Sequence, residues 1–185
     1  MSKIWFTSDY HLCHNRGFIY EPRGFNSVHE HDLEIAQRHN TLINEEDDVY
    51  ILGDLMLNDI VRGIKFLSCL KGKIHIVRGN HDTDTRIELY KDLPNVVEVV
   101  DATYLKYKGY HFFLTHFPCI TSNLEKESLK QCTINIHGHT HSKEKFYQDM
   151  PFCFHCGFDA HRGPVLLDDI IEMCEAKVIE CKAQL

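Results

Sequence analysis

Short apolar runs recur along the chain, and most end in a polar cluster. Ile4-Trp5-Phe6 precedes Thr7-Ser8-Asp9, Val49-Tyr50-Ile51-Leu52 precedes Gly53-Asp54, and Ile74-His75-Ile76-Val77 precedes Arg78-Gly79-Asn80-His81-Asp82. Phe112-Phe113-Leu114 leads into Thr115-His116, and Ile134-Asn135-Ile136 into His137-Gly138-His139. Runs this short and this rich in β-branched and aromatic residues predict buried strands. Helical spacing fills the longer gaps. Residues 28–44 carry apolar or half-apolar positions at 28, 31, 35, 39 and 42, and residues 59–70 carry Ile60, Ile64, Phe66 and Leu67. A last helix is predicted over 168–181, with Ile170, Cys174, Val178 and Cys181 as its stripe and Asp168-Asp169 at its positive end. Strand–helix alternation in the first half, followed by strand-rich sequence over 96–154, predicts an α/β fold with mixed sheets. Repeats and long Pro/Gly/Ser linkers are lacking, so the 185 residues read as one domain, 1–185.

Composition narrows the class. Hydrophobic residues at 43% and charged residues at 25% describe a globular chain. A net charge of −7 argues against a broad basic face for long nucleic acid or an anionic membrane. No apolar run approaches the ~18 residues of a membrane helix, and charge returns at Asp9 before a signal-peptide core forms; a cytoplasmic protein is expected. The eight cysteines are then reduced thiols rather than a disulfide framework. Cys153 and Cys156 have the spacing of half a zinc knuckle, but no second Cys-x-x-Cys exists. Phe152 and Phe154 predict a strand that sends the two thiols to opposite faces. Cys69, Cys174 and Cys181 fall on helical apolar stripes and read as core residues, while Cys13 and Cys119 each neighbour a candidate ligand.

Histidine changes the picture more, with 14 in the chain. His31 and His39 lie on the apolar side of the first long helix and read as half-buried structural residues. Others gather at the strand ends, where α/β proteins place their chemistry. Asp9-x-His11 would project both side chains to one side of an extended segment. Gly53-Asp54 offers a carboxylate able to bridge two cations. Gly79-Asn80-His81-Asp82 offers an amide oxygen, an imidazole and a carboxylate on one turn. His116 and the pair His139-x-His141 complete five clusters of metal-ligand residue types, each after a predicted strand. Any one of them alone is weak; five in this order are hard to explain structurally.

Taken together, these blocks, from residue 9 to 141, resemble the signature of the calcineurin-like metallophosphoesterases, and His14-Asn15 after the first block resembles a compact bacterial and phage subgroup. The resemblance implies two mixed β-sheets packed as a sandwich flanked by helices, a four-layer αββα arrangement. It implies two divalent metal ions, with Asp9, His11, Asp54 and His141 on one and Asp54, Asn80, His116 and His139 on the other, Asp54 bridging. His81 would face the phosphate and leaving group, with Asp82 positioning or polarising it, and Asn80, His81 and His14 would meet substrate. A nitrogen and oxygen donor set without thiolate suits Mn, Fe, Zn, Co or Ni, with Mg less favoured because of the imidazoles; Mn is the expected metal.

Two divalent ions less two carboxylates and a hydroxide leave about +1, a charge suited to phosphate inside an acidic protein. The expected reaction is attack of a metal-held hydroxide on a small phosphodiester or phosphomonoester, with His81 donating a proton to the leaving oxygen. Protein Ser/Thr phosphatases carry an Arg shortly after Gly-Asp and a Glu after Gly-Asn-His. Here Leu55-Met56-Leu57-Asn58 follows Asp54, and Asp82 follows His81, which argues against that branch. Arg23 and Arg162 are phosphate contacts on side-chain chemistry alone, with a solvated surface Arg as the plainer reading of each. The competing class is a non-catalytic scaffold that keeps the fold; its drift should damage the ligand set, which here is intact.

Overall fold

In the computed structural model, which describes residues 2–122 and 128–183, the predicted strands sort into two sheets. The first holds β1 (Ile4–Thr7), β2 (Asp48–Ile51), β3 (Lys73–Val77), β4 (Val96–Val100) and β9 (Val165–Leu166), in the order β4-β3-β2-β1-β9. Strands β1 to β4 are parallel and β9 is antiparallel to β1. The second holds β5 (Thr103–Tyr107), β6 (Tyr110–Leu114), β7 (Thr133–His137) and β8 (Cys153–His155) in sequence order. There β5 and β6 form a hairpin, and β6, β7 and β8 run parallel. The architecture is α/β with two mixed sheets and helices, as expected.

Helices α1 (Gly17–Tyr20), α2 (Val28–Leu42), α3 (Ile60–Ser68), α4 (Asp84–Lys91), α5 (Phe158–His161) and α6 (Leu167–Ala183) complete the chain. The three long predicted helices are α2, α3 and α6. Ser27 Oγ accepts from Glu30 N, and Asp59 Oδ1 from Arg62 N, so α2 and α3 start where a side-chain oxygen takes up a free amide. Alternation along the strands divides the core in two. Trp5, Val49, Ile51, Ile74 and Ile76 face Ile35, Leu67, Ile87 and Tyr90 of the helices. Phe6, Leu52 and Val77 face Phe112, Leu114, Ile134, Ile136 and Phe154 between the sheets, joined by Leu167, Ile170, Ile171 and Cys174 of α6.

The cysteine and histidine expectations need adjustment in detail. Cys156 joins the core between the sheets, while the Cys153 thiol lies 3.5 Å from Asn135 Oδ1, so the two thiols do part. Cys69 caps α3 in an exposed position and Cys181 is only partly covered, so neither is a core residue. His31 and His39 are wholly buried rather than half-buried. His39 donates to Lys71 O at 2.8 Å and accepts from Tyr10 Oη at 2.9 Å; burial pushes its pKa down to about 4.

Because β1, β2 and β3 run parallel in register, their carboxyl ends reach one edge together (Thr7 opposite Ile51, Ile51 opposite Ile76). The loops stay paired beyond the strands: Asp9 N donates to Gly53 O and His11 N to Asp54 O, both at 3.0 Å. From the second sheet, Gly138 N donates to His116 O, and Ser8 bridges Gly157. Both sheets therefore deliver their polar clusters to one place.

Candidate metal centre

Asp54 sits at the middle of that place. Its Oδ2 lies 3.7 Å from His11 Nε2, 3.5 Å from His116 Nε2 and 3.9 Å from His81 Nε2, so imidazoles from three different loops converge on one carboxylate oxygen. Asp9 Oδ1 lies 4.0 Å from His11 Nε2 and 3.8 Å from His141 Nε2. Donor atoms of Asp9, His11 and His141 lie within 4.8 Å of one another, as do those of Asp9, Asp54 and His116. Asn80 Oδ1 stands 2.9 Å from both His116 Nε2 and His139 Nδ1. All seven residues expected to hold metal thus line one cluster, with Asp9 and Asp54 between its halves.

The backbone that delivers them is not the extended segment expected for Asp9-x-His11. Asp9, His11, Cys13, Asp54, His139 and His141 all have φ between 49° and 70°. Left-handed backbone at a non-glycine residue is unfavourable by about 1–2 kcal/mol, and its recurrence at these positions is strain held by the surrounding fold. Asp9 and His11 still emerge on one side, with Asp9 Oδ1 4.0 Å from His11 Nε2. Gly53, at φ 90°, permits the close approach of neighbouring loops: a Cβ there would fall 2.5 Å from His116 Nδ1 and 2.6 Å from Gly79 Cα. Gly53→Ala is therefore expected to cost about 2 kcal/mol or more and to displace His116. Urea unfolding together with metal titration checks both effects, and wild-type values for either would contradict this packing.

The electrostatics favour cations at the centre. Burial, followed by the charges of neighbouring His141 and Arg23, pushes His11 well below its ordinary pKa. His139 is lowered by burial and then by His116. These imidazoles are neutral and offer lone pairs. Burial raises the Asp54 carboxyl, with His116 and the His81 amide pulling the other way. His116 Nδ1 donates to Leu52 O at 2.8 Å, which leaves Nε2 as a bare acceptor facing the acceptor Asn80 Oδ1. Acceptors pointing at one another beside two buried carboxylates fit a site for divalent metal ions.

Two residues hold the centre in ways that refine or reverse expectation. Asp82 does not polarise His81; its carboxylate accepts from Asp54 N (2.8 Å), Gly79 N (2.9 Å), Leu55 N (3.3 Å) and Tyr90 Oη (2.9 Å). It fixes the backbone of the second and third loops instead. Arg23 is not a solvated surface residue. It is 2% exposed, with Nε and Nη2 each 2.8 Å from Asp159, Nη2 also 2.8 Å from Asp9 O, and Nη1 donating to Tyr10 O and His31 Nε2. With its donors committed, Arg23 ties Asp9 to Asp159.

Asp159 escaped the sequence reading. It accepts from His141 Nδ1 at 2.8 Å, setting the tautomer that turns Nε2 toward Asp9. Burial alone would raise its pKa, but the His141 and Arg23 hydrogen bonds hold it well below the carboxylate range. His141 responds in kind: burial would lower it, and the Asp159 hydrogen bond raises it. The available signal was the run Cys153-Phe154-His155 followed by Gly157-Phe158-Asp159, one more strand ending in glycine and a carboxylate.

At the mouth, the His81 side chain is 45% exposed, while its amide donates to Asp54 Oδ1 at 2.8 Å. His14 is buried, its ring 5.5 Å from His11 and 5.6 Å from the exposed Phe18. His155 is buried, and His161 donates to its carbonyl.

The two-sheet α/β fold thus gathers at its strand ends groups of side chains that could hold a metal ion. The sequence profile described as the calcineurin-like phosphoesterase superfamily domain matches residues 3–157, and the chain belongs to that superfamily. It is 30% identical to the Gene 66 protein of Mycobacterium phage D29 over 94% of this chain and 96% of that protein. It is 32% identical to an uncharacterized protein of Methanocaldococcus jannaschii over 77% of this chain and 71% of that one. A crystal structure of a protein of unknown function from Aquifex aeolicus shares the fold, with a TM-score of 0.72, 22% identity, and coverage of 94% of this chain and 100% of that chain. No helix among the described residues is long and apolar enough to cross a membrane.

Proposed function

We propose that the protein is a phosphoesterase dependent on two divalent metal ions, Mn first among them, that hydrolyses a small phosphodiester or phosphomonoester. The observation that carries this reading is the convergence of His11, His116 and His81 on Asp54 Oδ2, with Asp9 and His141 beside them. Asp9, His11, Asp54 and His141 would hold one ion, and Asp54, Asn80, His116 and His139 the other. Two such ions supply Lewis-acid charge for the phosphoryl oxygens and lower the pKa of water enough to make a nucleophile at neutral pH.

The chain's own residues do the remaining work. Asp82 and Gly53 keep the loops in register, and Arg23 with Asp159 orients His141. His81, the exposed imidazole of the cluster, donates a proton to the leaving oxygen, and Asn80 and His14 meet substrate. His81→Ala is expected to slow hydrolysis of an alkyl phosphoester about 10²-fold or more and that of a p-nitrophenyl ester far less, since p-nitrophenolate needs little protonation. Equal losses on the two esters would remove His81 from that role. The reading as a whole is tested by metal analysis with Mn²⁺-supplemented hydrolysis of bis-p-nitrophenyl phosphate and p-nitrophenyl phosphate. Two equivalents of metal with turnover are expected; a folded protein that binds no metal and cleaves neither ester would overturn it.

A further inference from the structure

Beside His141, on the side away from Asp54, the surface opens into a cleft of about 370 Å³, within the size range of small-ligand sites. Arg23 and Asp159 line it but neutralise each other through their paired 2.8 Å contacts. Lys143 and Arg162 also line it, and among the described residues neither has a carboxylate within 4.0 Å.

Arg162 is moreover held in place without a counter-charge. Its Nη1 donates to Arg23 O at 2.6 Å, and its guanidinium carbon lies 5.7 Å from the Phe25 ring and 5.9 Å from that of Phe158. Its backbone is left-handed at φ 63°, a strained state for arginine, and its carbonyl accepts from Arg38. A guanidinium fixed by rings and a carbonyl keeps its remaining N–H groups for an oxyanion such as phosphate, two of whose oxygens it can bind as a fork. Lys143 adds a mobile point charge across the same cleft.

We propose that this cleft receives a second phosphate group of the substrate, so that the preferred substrate class is a phosphoester bearing a further terminal phosphate. The inference rests on the proposed phosphoesterase reading, because it places the scissile phosphate at the metal centre on the other side of His141. Lys143 and Arg162 select the substrate and take no part in bond cleavage.

Two measurements separate this from the reading it rests on. The first compares kcat/KM for a dinucleotide diester with and without a 5′-terminal phosphate. Wild type is expected to prefer the phosphorylated form by about tenfold or more. The Lys143→Gln, Arg162→Gln double variant should bring that ratio near one, while Lys143→Arg keeps it. The second is calorimetric titration of metal-free protein with inorganic pyrophosphate, where the double variant should bind about tenfold more weakly. Pyrophosphate binding that depends on Lys143 and Arg162, in a protein that takes up no metal and cleaves neither the dinucleotides nor the p-nitrophenyl esters, would sink the phosphoesterase reading and leave the anion site standing. Equal kcat/KM on the two dinucleotides, or an unchanged pyrophosphate affinity in the double variant, would overturn the anion site.

Discussion

Asp54→Asn is expected to yield a folded protein that no longer takes up two equivalents of metal and loses at least about 10³-fold in turnover, some 4 kcal/mol of transition-state stabilisation. The substitution keeps the shape and keeps Oδ1 as an acceptor for the His81 amide. What it removes is the negative charge on which His11, His116 and His81 converge. Burial already raises the Asp54 carboxyl, so the metal-free protein carries a cost for that charge. The metal-free variant should therefore be as stable as wild type or more so. Wild type should gain stability on metal addition, about 2.7 kcal/mol at a hundredfold excess over Kd, and the variant should gain little. Thermal unfolding with and without Mn²⁺ reads this independently of any substrate. A variant that retains both ions and normal turnover would remove Asp54 from the centre.

Asp159→Ala is the second large effect, and it acts without touching the cluster. Arg23 would lose both 2.8 Å contacts while staying buried, and an unpaired buried charge typically costs about 3–5 kcal/mol. His141 would lose the acceptor that sets its tautomer, which typically weakens metal binding about 10–100-fold. The two effects separate experimentally. Denaturant unfolding of metal-free protein reports the buried arginine, and metal competition titration of the folded variant reports His141. Asp159→Asn, which keeps an acceptor oxygen, should recover part of the metal affinity and less of the stability. A stability loss with wild-type metal affinity would leave Asp159 a packing residue for Arg23 alone.

How far the site could be read in advance differs from residue to residue. That Asp9, His11, Asp54, Asn80, His116, His139 and His141 gather in one place was legible because each follows an apolar run that is a buried strand, and strand ends converge in this class of fold. The side on which Asp9 and His11 emerge was visible too, although the reason was not. Both residues are left-handed rather than extended, yet their side chains meet, and local sequence does not distinguish the two. Of the two roles expected of Asp82, its contacts fit positioning rather than polarising, because its partners are amides of residues 54, 55 and 79 and not the His81 ring. Arg23 was misread as a surface residue. Nothing within several residues of it announces burial, and Asp159, 136 residues away, supplies its counter-charge.

The sequence by itself determined the alternation of buried strands and helices, the family to which the chain belongs, and the donor types at five strand ends. Those features are local: a run of apolar residues, a glycine, a carboxylate or imidazole after it. Tertiary structure alone decided which oxygen stands between which imidazoles, that Arg23 and Asp159 cancel beneath His141, and that Lys143 and Arg162 have no carboxylate within 4.0 Å among the described residues. The reason is physical. Charge pairing, burial and tautomer depend on distances across loops far apart in the chain, and those distances exist only once the two sheets have packed.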